Sequence, residues 1–159
     1  MSINNIVVSV TGGEQSIITT KYAIYLAKLL NAKLTAVYVV DKKSLHDLLK
    51  SRIFVEIEAL EFERELEQQG KHFLERAKKL ADTKQIQYEG LLLEGVIHEQ
   101  VVSKTKALNA DLLVMGELKE IISIKETYFD EGERIFREAP CPVVVVKNAQ
   151  KVEALYKEV

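Results

Sequence analysis

The segment that most restricts the fold of this chain runs from Asp111 to Lys147. It begins with a short apolar run that ends in glycine, DLLVMG, continues through a charged stretch, and ends with four consecutive valines, Val143–Val146. An apolar run without alternation is typical of a parallel strand whose two faces are both covered. Two such strands joined by a helical crossover form half of an open α/β sheet. The segment therefore predicts a parallel sheet with helices on both faces.

The rest of the chain repeats this alternation of apolar runs and amphipathic stretches. Apolar and β-branched runs predict five strands, at Asn5–Val10, Lys33–Val40, Ile86–Leu93, Asp111–Met115 and Val143–Val146. Apolar residues spaced three and four apart predict helices between them, over Ser16–Leu30, from Ser44 to Leu80, and over Ile97–Leu108.

The apolar pattern of the longest helical region is interrupted in its interior. Ser44 and Asp47 resemble a capping box at its start. The apolar spacing blurs after Glu61 and resumes at Phe73. We therefore expect either one long helix with a bend or two helices joined near Gly70.

This alternation specifies an α/β fold, a doubly wound five-stranded parallel sheet of the Rossmann-like or flavodoxin-like kind. In the usual strand order the valine strand lies at an edge of the sheet. We assign residues 1–147 to one α/β domain and residues 148–159 to a C-terminal tail. Val152, Leu155, Tyr156 and Val159 fall on one face of a candidate helix in that tail. The tail packs on its own domain, packs on a partner, or is disordered.

Composition narrows the class of protein. A chain of 159 residues with 47% apolar residues suits one compact domain. The net charge of −2 provides no basic field for nucleic acid. Cys141 is the only cysteine, which fits a reducing compartment. With no secretory signal and no apolar stretch long enough to cross a membrane, we expect a soluble, cytoplasmic protein without membrane contacts.

The carboxyl ends of the predicted strands give the candidate site. In a parallel sheet these ends share one edge, where ligands bind at the point of reversed winding. The candidate residues for a residual nucleotide crevice are Val10, Thr11, Val39, Met115 and Gly116. Gly12 and Gly13 precede a helix, so they form either an anion-binding turn or a tight turn without a ligand.

Catalytic and metal chemistry have no clear sequence signal. No G-x-S-x-G elbow or serine, histidine and aspartate arrangement is recognisable, so no catalytic residue is assigned. The three histidines, His46, His72 and His98, lack metal-ligand spacing with Cys141 or with each other, so no metal site is expected. Cys141 is interpreted as a small buried apolar residue rather than a nucleophile.

The sequence resembles the universal stress protein family along nearly its whole length. The segments that carry the resemblance are NIVVSVTGG, KYAIYLAKLLNAKLTAVYVVD, LLLEGVIHEQVV, NADLLVMG and ERIFREAPCPVVVVK. The resemblance implies the Rossmann-like fold of the adenine nucleotide alpha hydrolase-like group. It also implies that Met115 and Gly116 correspond to residues that flank adenine in family members that bind ATP.

The chain departs from the family's ATP-binding pattern after the fourth strand. That pattern is glycine, two residues, glycine, nine residues, then glycine with serine or threonine. Gly116 is retained, Lys119 takes the second glycine position, and Phe129 and Asp130 take the last pair. Thr11 replaces the aspartate that the family has in its first turn.

These departures from the pattern argue against binding of ATP. Glycines at such positions let backbone N–H groups close around phosphate oxygens, and a side chain there fills that space. Residues 117–134 hold six acidic and three basic residues, a net charge of −3. One carboxylate about 5 Å from a phosphate charge costs roughly 3 kcal/mol at an effective dielectric constant of about 20. We therefore expect no cofactor, with ATP or another adenine nucleotide as a disfavoured alternative.

The resemblance and the lost glycines predict a non-enzymatic stress-response protein. An exposed apolar edge strand needs a partner, and pairing through Val143, Val144, Val145 and Val146 resembles how the family forms homodimers. Regulatory protein partners are expected but not identified. The alternative is a nucleotide or small-ligand sensor that uses the remaining crevice, with Lys119 and Lys125 folded inward. A hydrolase or transferase rests on analogy of fold alone.

Overall fold

The fold is a five-stranded parallel sheet with helices on both faces, as the sequence predicts. A computed structural model describes residues 2–117 and 131–159. The strands are β1 (Asn5–Val10), β2 (Lys33–Asp41), β3 (Tyr88–Gly95), β4 (Leu112–Met115) and β5 (Val143–Val145). Their order across the sheet is β3-β2-β1-β4-β5, so β5 lies at an edge.

Six helices occur within the described residues. They are α1 (Glu14–Leu30), α2 (Lys42–Lys50), α3 (Glu56–Thr83), α4 (Ile97–Ala107), α5 (Glu131–Glu138) and α6 (Ala149–Glu158). None of these helices is both long enough and apolar enough to cross a bilayer.

The central strand β1 sets the register of the sheet. Val10 pairs with Tyr38 of β2, and Val8 pairs with Val114 of β4. Successive side chains of β1 point to opposite faces of the sheet. Val8 accordingly packs in the core beneath α1, α3 and α6, whereas Val7 packs in the core beneath α4 and α5. Each core holds one layer of helices against one face of the sheet. Helices of both layers contribute to the site described below.

The long helical region differs from its prediction. The break lies between α2 and α3, at residues 51–55, rather than near Gly70. Gly70 is buried inside α3, where an added Cβ would lie 2.6 Å from Leu92 Cδ1 and 2.8 Å from Tyr38 Cδ1. The glycine therefore allows α3 to approach the sheet closely and does not interrupt the helix.

The start of α2 also differs from its prediction. Asp41, not Ser44, is the N-cap residue, and its Oδ1 accepts a hydrogen bond of 3.0 Å from the Ser44 backbone N–H. The Ser44 hydroxyl donates to Asp41 Oδ2 at 2.6 Å. The cap belongs three residues earlier because Asp41, the last residue of β2, accepts hydrogen bonds from both donors of Ser44.

The third strand begins two residues later than predicted. Gln85 adopts a left-handed conformation with φ of 57°, and the Ile86 N–H bonds the Ala81 carbonyl at 3.4 Å. Ile86 therefore closes the end of α3, and β3 starts at Tyr88. By contrast, α1 ends at Leu30 as predicted, and Asn31 after it adopts the left-handed conformation that commonly ends a helix.

The C-terminal tail forms α6 and packs on its own domain. Val152 and Tyr156 are buried in the core shared with α1 and α3. Lys21 Nζ of α1 lies 2.8 Å from Glu153 Oε1. The Lys84 ammonium donates to the Val159 carbonyl at 2.9 Å. Of the three options for the tail, the structure shows the first.

Candidate functional site: the cavity between β1 and β4

A cavity of about 470 Å³ opens where the winding of the sheet reverses. The chain leaves β1 toward β2 on one side, while β4 lies on the other, which is the position where open α/β sheets bind ligands. The walls come from the ends of β1, β2 and β4 and from α1, α2, α4 and α5. The lining includes Ser9, Thr11, Gln15, Ser16, Thr19, Asp41, Lys43, Ser44, Ile97, Met115, Gly116, Glu117, Glu131, Gly132 and Ile135.

The five predicted crevice residues divide between two cavities. Thr11, Met115 and Gly116 line the large one. Val10 and Val39 instead line a smaller cavity of about 140 Å³, which Thr11 also borders. Both valine side chains are buried in the core. The strand ends thus bring together only three of the predicted residues on the wall of the large cavity.

The turn after β1 is closed by hydroxyl groups of the chain itself. The Thr11 backbone N–H donates to Ser16 Oγ at 2.8 Å, and the two side-chain hydroxyls lie 3.1 Å apart. Gly12 has φ of +92°, and an added Cβ would lie 3.1 Å from Tyr38 Cε2. This glycine is required by the geometry of a tight turn, so the structure provides a reason for it without a ligand. The serine takes one N–H that an anion would otherwise use.

The end of β4 approaches α1 closely at Gly116. A Cβ at this position would lie 3.1 Å from Thr19 Oγ1 and 3.6 Å from Gln15 Cγ. The Thr19 hydroxyl donates to the Gln15 carbonyl at 2.9 Å, which keeps it close to α1. Gly116 therefore keeps this part of the cavity wall open between the strand and the helix.

The end of β2 supplies polar residues that the sequence analysis did not assign to the site. Asp41, Lys43 and Ser44 all line the large cavity. Both carboxylate oxygens of Asp41 accept hydrogen bonds from Ser44. The sequence signal for this position is the carboxylate of Asp41, directly after the predicted strand Lys33–Val40. It is overlooked when the helix cap is assigned to Ser44.

Glu131 links the two helices on the far side of the cavity. Its Oε2 accepts a hydrogen bond of 2.6 Å from the His98 backbone N–H and lies 2.6 Å from His98 Nδ1. The N-cap of α4, Val96, provides no side-chain hydrogen bond. Glu131 therefore caps α4 from outside that helix, where the helix dipole favours a negative charge.

The described charges in the large cavity are mainly negative. Asp41, Glu117 and Glu131 face one lysine, Lys43, among the described lining residues. Asp41 and Glu131 accept hydrogen bonds from the protein. The three carboxylates nevertheless disfavour binding of a polyanion, because like charges repel. Lys119, Phe129 and Asp130, on which the predicted loss of the phosphate cradle rests, lie outside the described residues. So does Lys125, which the sensor alternative needs to fold inward.

Two further candidates for chemistry lie outside the lining of the large cavity: the Cys141 thiol, and a group of three glutamates. Cys141 is half-buried, and burial together with the negative charge of Asp111 raises the pKa of its thiol, which disfavours a nucleophilic thiolate. Carboxylate oxygens of Glu63, Glu67 and Glu94 lie within 4.8 Å of one another, which the search for histidine and cysteine spacing missed. The Lys42 ammonium forms ion pairs with Glu63 and Glu94, so a side chain partly balances this acidic charge.

The sheet order, the crossovers and the cavity at the reversal of winding define a Rossmann-like α/β domain. The universal stress protein family model matches residues 2–147. The chain is also 31% identical over 146 residues to universal stress protein MJ0531 of Methanocaldococcus jannaschii, an alignment that covers 92% of this chain and 83% of the relative. The chain belongs to the universal stress protein family.

Solved structures share this fold at lower sequence identity. A universal stress protein in complex with cAMP has a TM-score of 0.66 at 18% identity, covering 92% of this chain and 98% of its own. A universal stress protein from Archaeoglobus fulgidus in complex with dAMP has a TM-score of 0.62 at 16% identity, covering 92% of this chain and 100% of its own. At these identities the likeness establishes the fold.

Proposed function

We propose that this chain is a non-enzymatic, cytoplasmic stress-response protein that acts as a homodimer and no longer binds ATP through the family's glycine motif. The observation that carries the proposal is the negative lining of the large cavity, in which Glu131 is tied to the N-terminus of α4. The glycines missing at Lys119 and Phe129, and the serine or threonine missing at Asp130, support it from the sequence. The cavity offers one described lysine to the phosphates of ATP and three carboxylates against them.

Co-purification tests this proposal. Protein purified without added nucleotide is denatured with acid, and the supernatant is analysed by ion-exchange chromatography. The proposal predicts no adenine nucleotide in the supernatant. A stoichiometric amount of ATP would overturn it.

The homodimer is proposed through the edge of β5 that no strand of the described residues covers. The Val146 N–H bonds the Met115 carbonyl at 2.8 Å, and the Pro142 carbonyl accepts from the Leu113 N–H at 3.0 Å. In a parallel strand alternate residues point their backbone groups to opposite sides. Val143 and Val145 therefore direct theirs to the open edge, where a second copy satisfies them across a two-fold axis.

The second candidate function is a sensor for a nucleotide of low charge or for another small ligand. It is favoured by the size of the large cavity and by the retained Thr11, Met115 and Gly116 on its wall. Solved relatives in complex with cAMP and dAMP support this class of ligand. Lys43 lines the cavity and is placed to balance one negative charge.

A thermal-shift panel separates the two candidates. ATP, ADP, AMP and cAMP are each added with Mg²⁺ at millimolar concentration. A rise in melting temperature with AMP or cAMP, lost in Lys43→Met, would favour the sensor. No rise with any of the four would leave the first proposal.

A further inference from the structure

Exposed large apolar side chains are concentrated along the chain at the junction of α2 and α3. Four large apolar residues occur within eight positions, and their exposed fractions are 65% for Ile53, 60% for Val55, 66% for Ile57 and 47% for Leu60. Single exposed apolar side chains are ordinary on protein surfaces, whereas a contiguous group marks an interaction site. We refer to these four residues as the junction patch.

Backbone and ring contacts hold the junction patch in place. The Ile53 N–H bonds the Leu48 carbonyl at 3.0 Å, and the Arg52 N–H bonds the Leu49 carbonyl at 3.1 Å. The Phe54 ring packs edge-on against Phe62 of α3, with 5.5 Å between ring centroids. The turn thus presents Ile53 in a fixed position, and an ordered surface loses less conformational entropy when it binds.

Acidic residues surround the apolar side chains on α3. Glu56 precedes Leu60 by four residues, and Glu61 follows Ile57 by four, so each lies beside an apolar neighbour on the helix surface. Residues 51–67 contain six glutamates and two arginines, a net charge of −4. The junction patch therefore has an apolar centre and an acidic rim.

We propose that the junction patch binds a basic amphipathic helix of a partner protein. Such a helix carries an apolar face for the four exposed side chains and flanking lysines or arginines for the glutamates. A second copy of this chain would set one acidic rim against another, which is repulsive. An anionic membrane is disfavoured for the same reason. The patch lies at the start of α3, which packs over β2 and β3, whereas β5 lies at the opposite edge of the sheet.

The test measures binding of the full chain to a defined peptide by fluorescence anisotropy. The probe is a labelled helix of leucine and lysine about 18 residues long, with the leucines spaced three and four apart. The comparison peptides are a glutamate version and a scrambled version without the apolar face. We expect the lysine helix to bind, with an affinity that falls as salt is added, and both comparison peptides to bind at least about tenfold more weakly.

Two variants locate the binding site. Ile57→Gln with Leu60→Gln removes apolar side chains from the junction patch, and we expect this variant to bind the lysine helix at least about tenfold more weakly than the unmodified chain does. Leu29→Gln with Leu30→Gln changes two exposed leucines elsewhere, at the end of α1, and should leave binding unchanged. Circular dichroism checks that both variants fold. Equal binding of the lysine helix by both variants, or no binding by the unmodified chain, would overturn the proposal. Self-association that only the patch variant loses would assign the patch to a second copy instead.

Discussion

The Glu131 carboxylate accepts a 2.6 Å hydrogen bond from the backbone N–H of His98 and thereby joins the start of α5 to the start of α4. This contact connects residues 33 positions apart, and it fixes one wall of the large cavity. The same oxygen lies 2.6 Å from His98 Nδ1, so one side chain satisfies both a helix end and a buried histidine ring.

Glu131→Ala is expected to destabilise the protein by about 1–3 kcal/mol, because the α4 N–H and the His98 ring lose a charged acceptor. Urea denaturation followed by circular dichroism measures the free energy of unfolding. The control is Glu99→Ala, which removes an exposed glutamate in the first turn of the same helix. Equal stabilities for the two variants would show that the contact with His98 contributes nothing.

Gly70→Val is expected to lower the free energy of unfolding by about 1–3 kcal/mol, because the new side chain overpacks the interface of α3 with Tyr38 and Leu92. Gln69→Val places the same residue at the neighbouring exposed position of α3 and serves as the control. Thermal melts of both variants test the expectation. If Gly70 were a flexible break in the helix, valine there would stabilise the protein instead.

Tyr156→Ala is expected to cost about 2–4 kcal/mol of stability, because the buried ring leaves a cavity between α6, α1 and α3. The variant also loses the hydrogen bond of 3.3 Å from the tyrosine hydroxyl to the Leu80 carbonyl. Lys157→Ala, at an exposed position of α6, is the control. Chemical denaturation measures the stability of both variants. If the tail contributed nothing to the domain, Tyr156→Ala and Lys157→Ala would give identical unfolding curves.

Asp111 should make stability depend on acid pH. Hydrogen bonds from the backbone N–H groups of Asn4 and Asn5 hold the pKa of its carboxyl below the ordinary value of 3.8. A depressed folded pKa gives a contribution that is complete above pH 3.8 and is lost as the pH falls through the folded pKa. The stability difference between the unmodified chain and Asp111→Asn should therefore be present at neutral pH and shrink in acid. A difference that stays constant on acidification would contradict this origin.

The fold follows from the sequence because strand runs such as Val143–Val146 and the helix end at Asn31 are local signals. The sequence also predicts Thr11, Met115 and Gly116 at the site, since strand ends in a parallel sheet meet at one edge.

Other site residues do not follow from the sequence. Lys43 is not predicted because the sequence pattern places the start of α2 at Ser44, after Lys43. Glu131 was missed because its role depends on His98, a partner brought close only by tertiary folding. The function of Gly70 likewise depends on Tyr38 and Leu92, so the sequence alone could not distinguish close packing from a break.

Val145→Pro tests the proposed homodimer. Proline removes the N–H of Val145 from the free edge of β5 and leaves the bonds between β4 and β5 in place, because those involve Val146 and Pro142. We expect light scattering to show a dimer for the unmodified chain and a monomer for Val145→Pro. Val145→Ala retains the N–H and should remain dimeric. A dimeric Val145→Pro would place the interface elsewhere.

We propose that the family's ATP site has been lost in this chain, and isothermal titration calorimetry with ATP and Mg²⁺ measures this loss without a label or a variant. We expect no heat of binding at nucleotide concentrations up to about the millimolar range, where a dissociation constant corresponds to roughly −4 kcal/mol. Saturable binding of ATP in the micromolar range, with one site per chain, would contradict it.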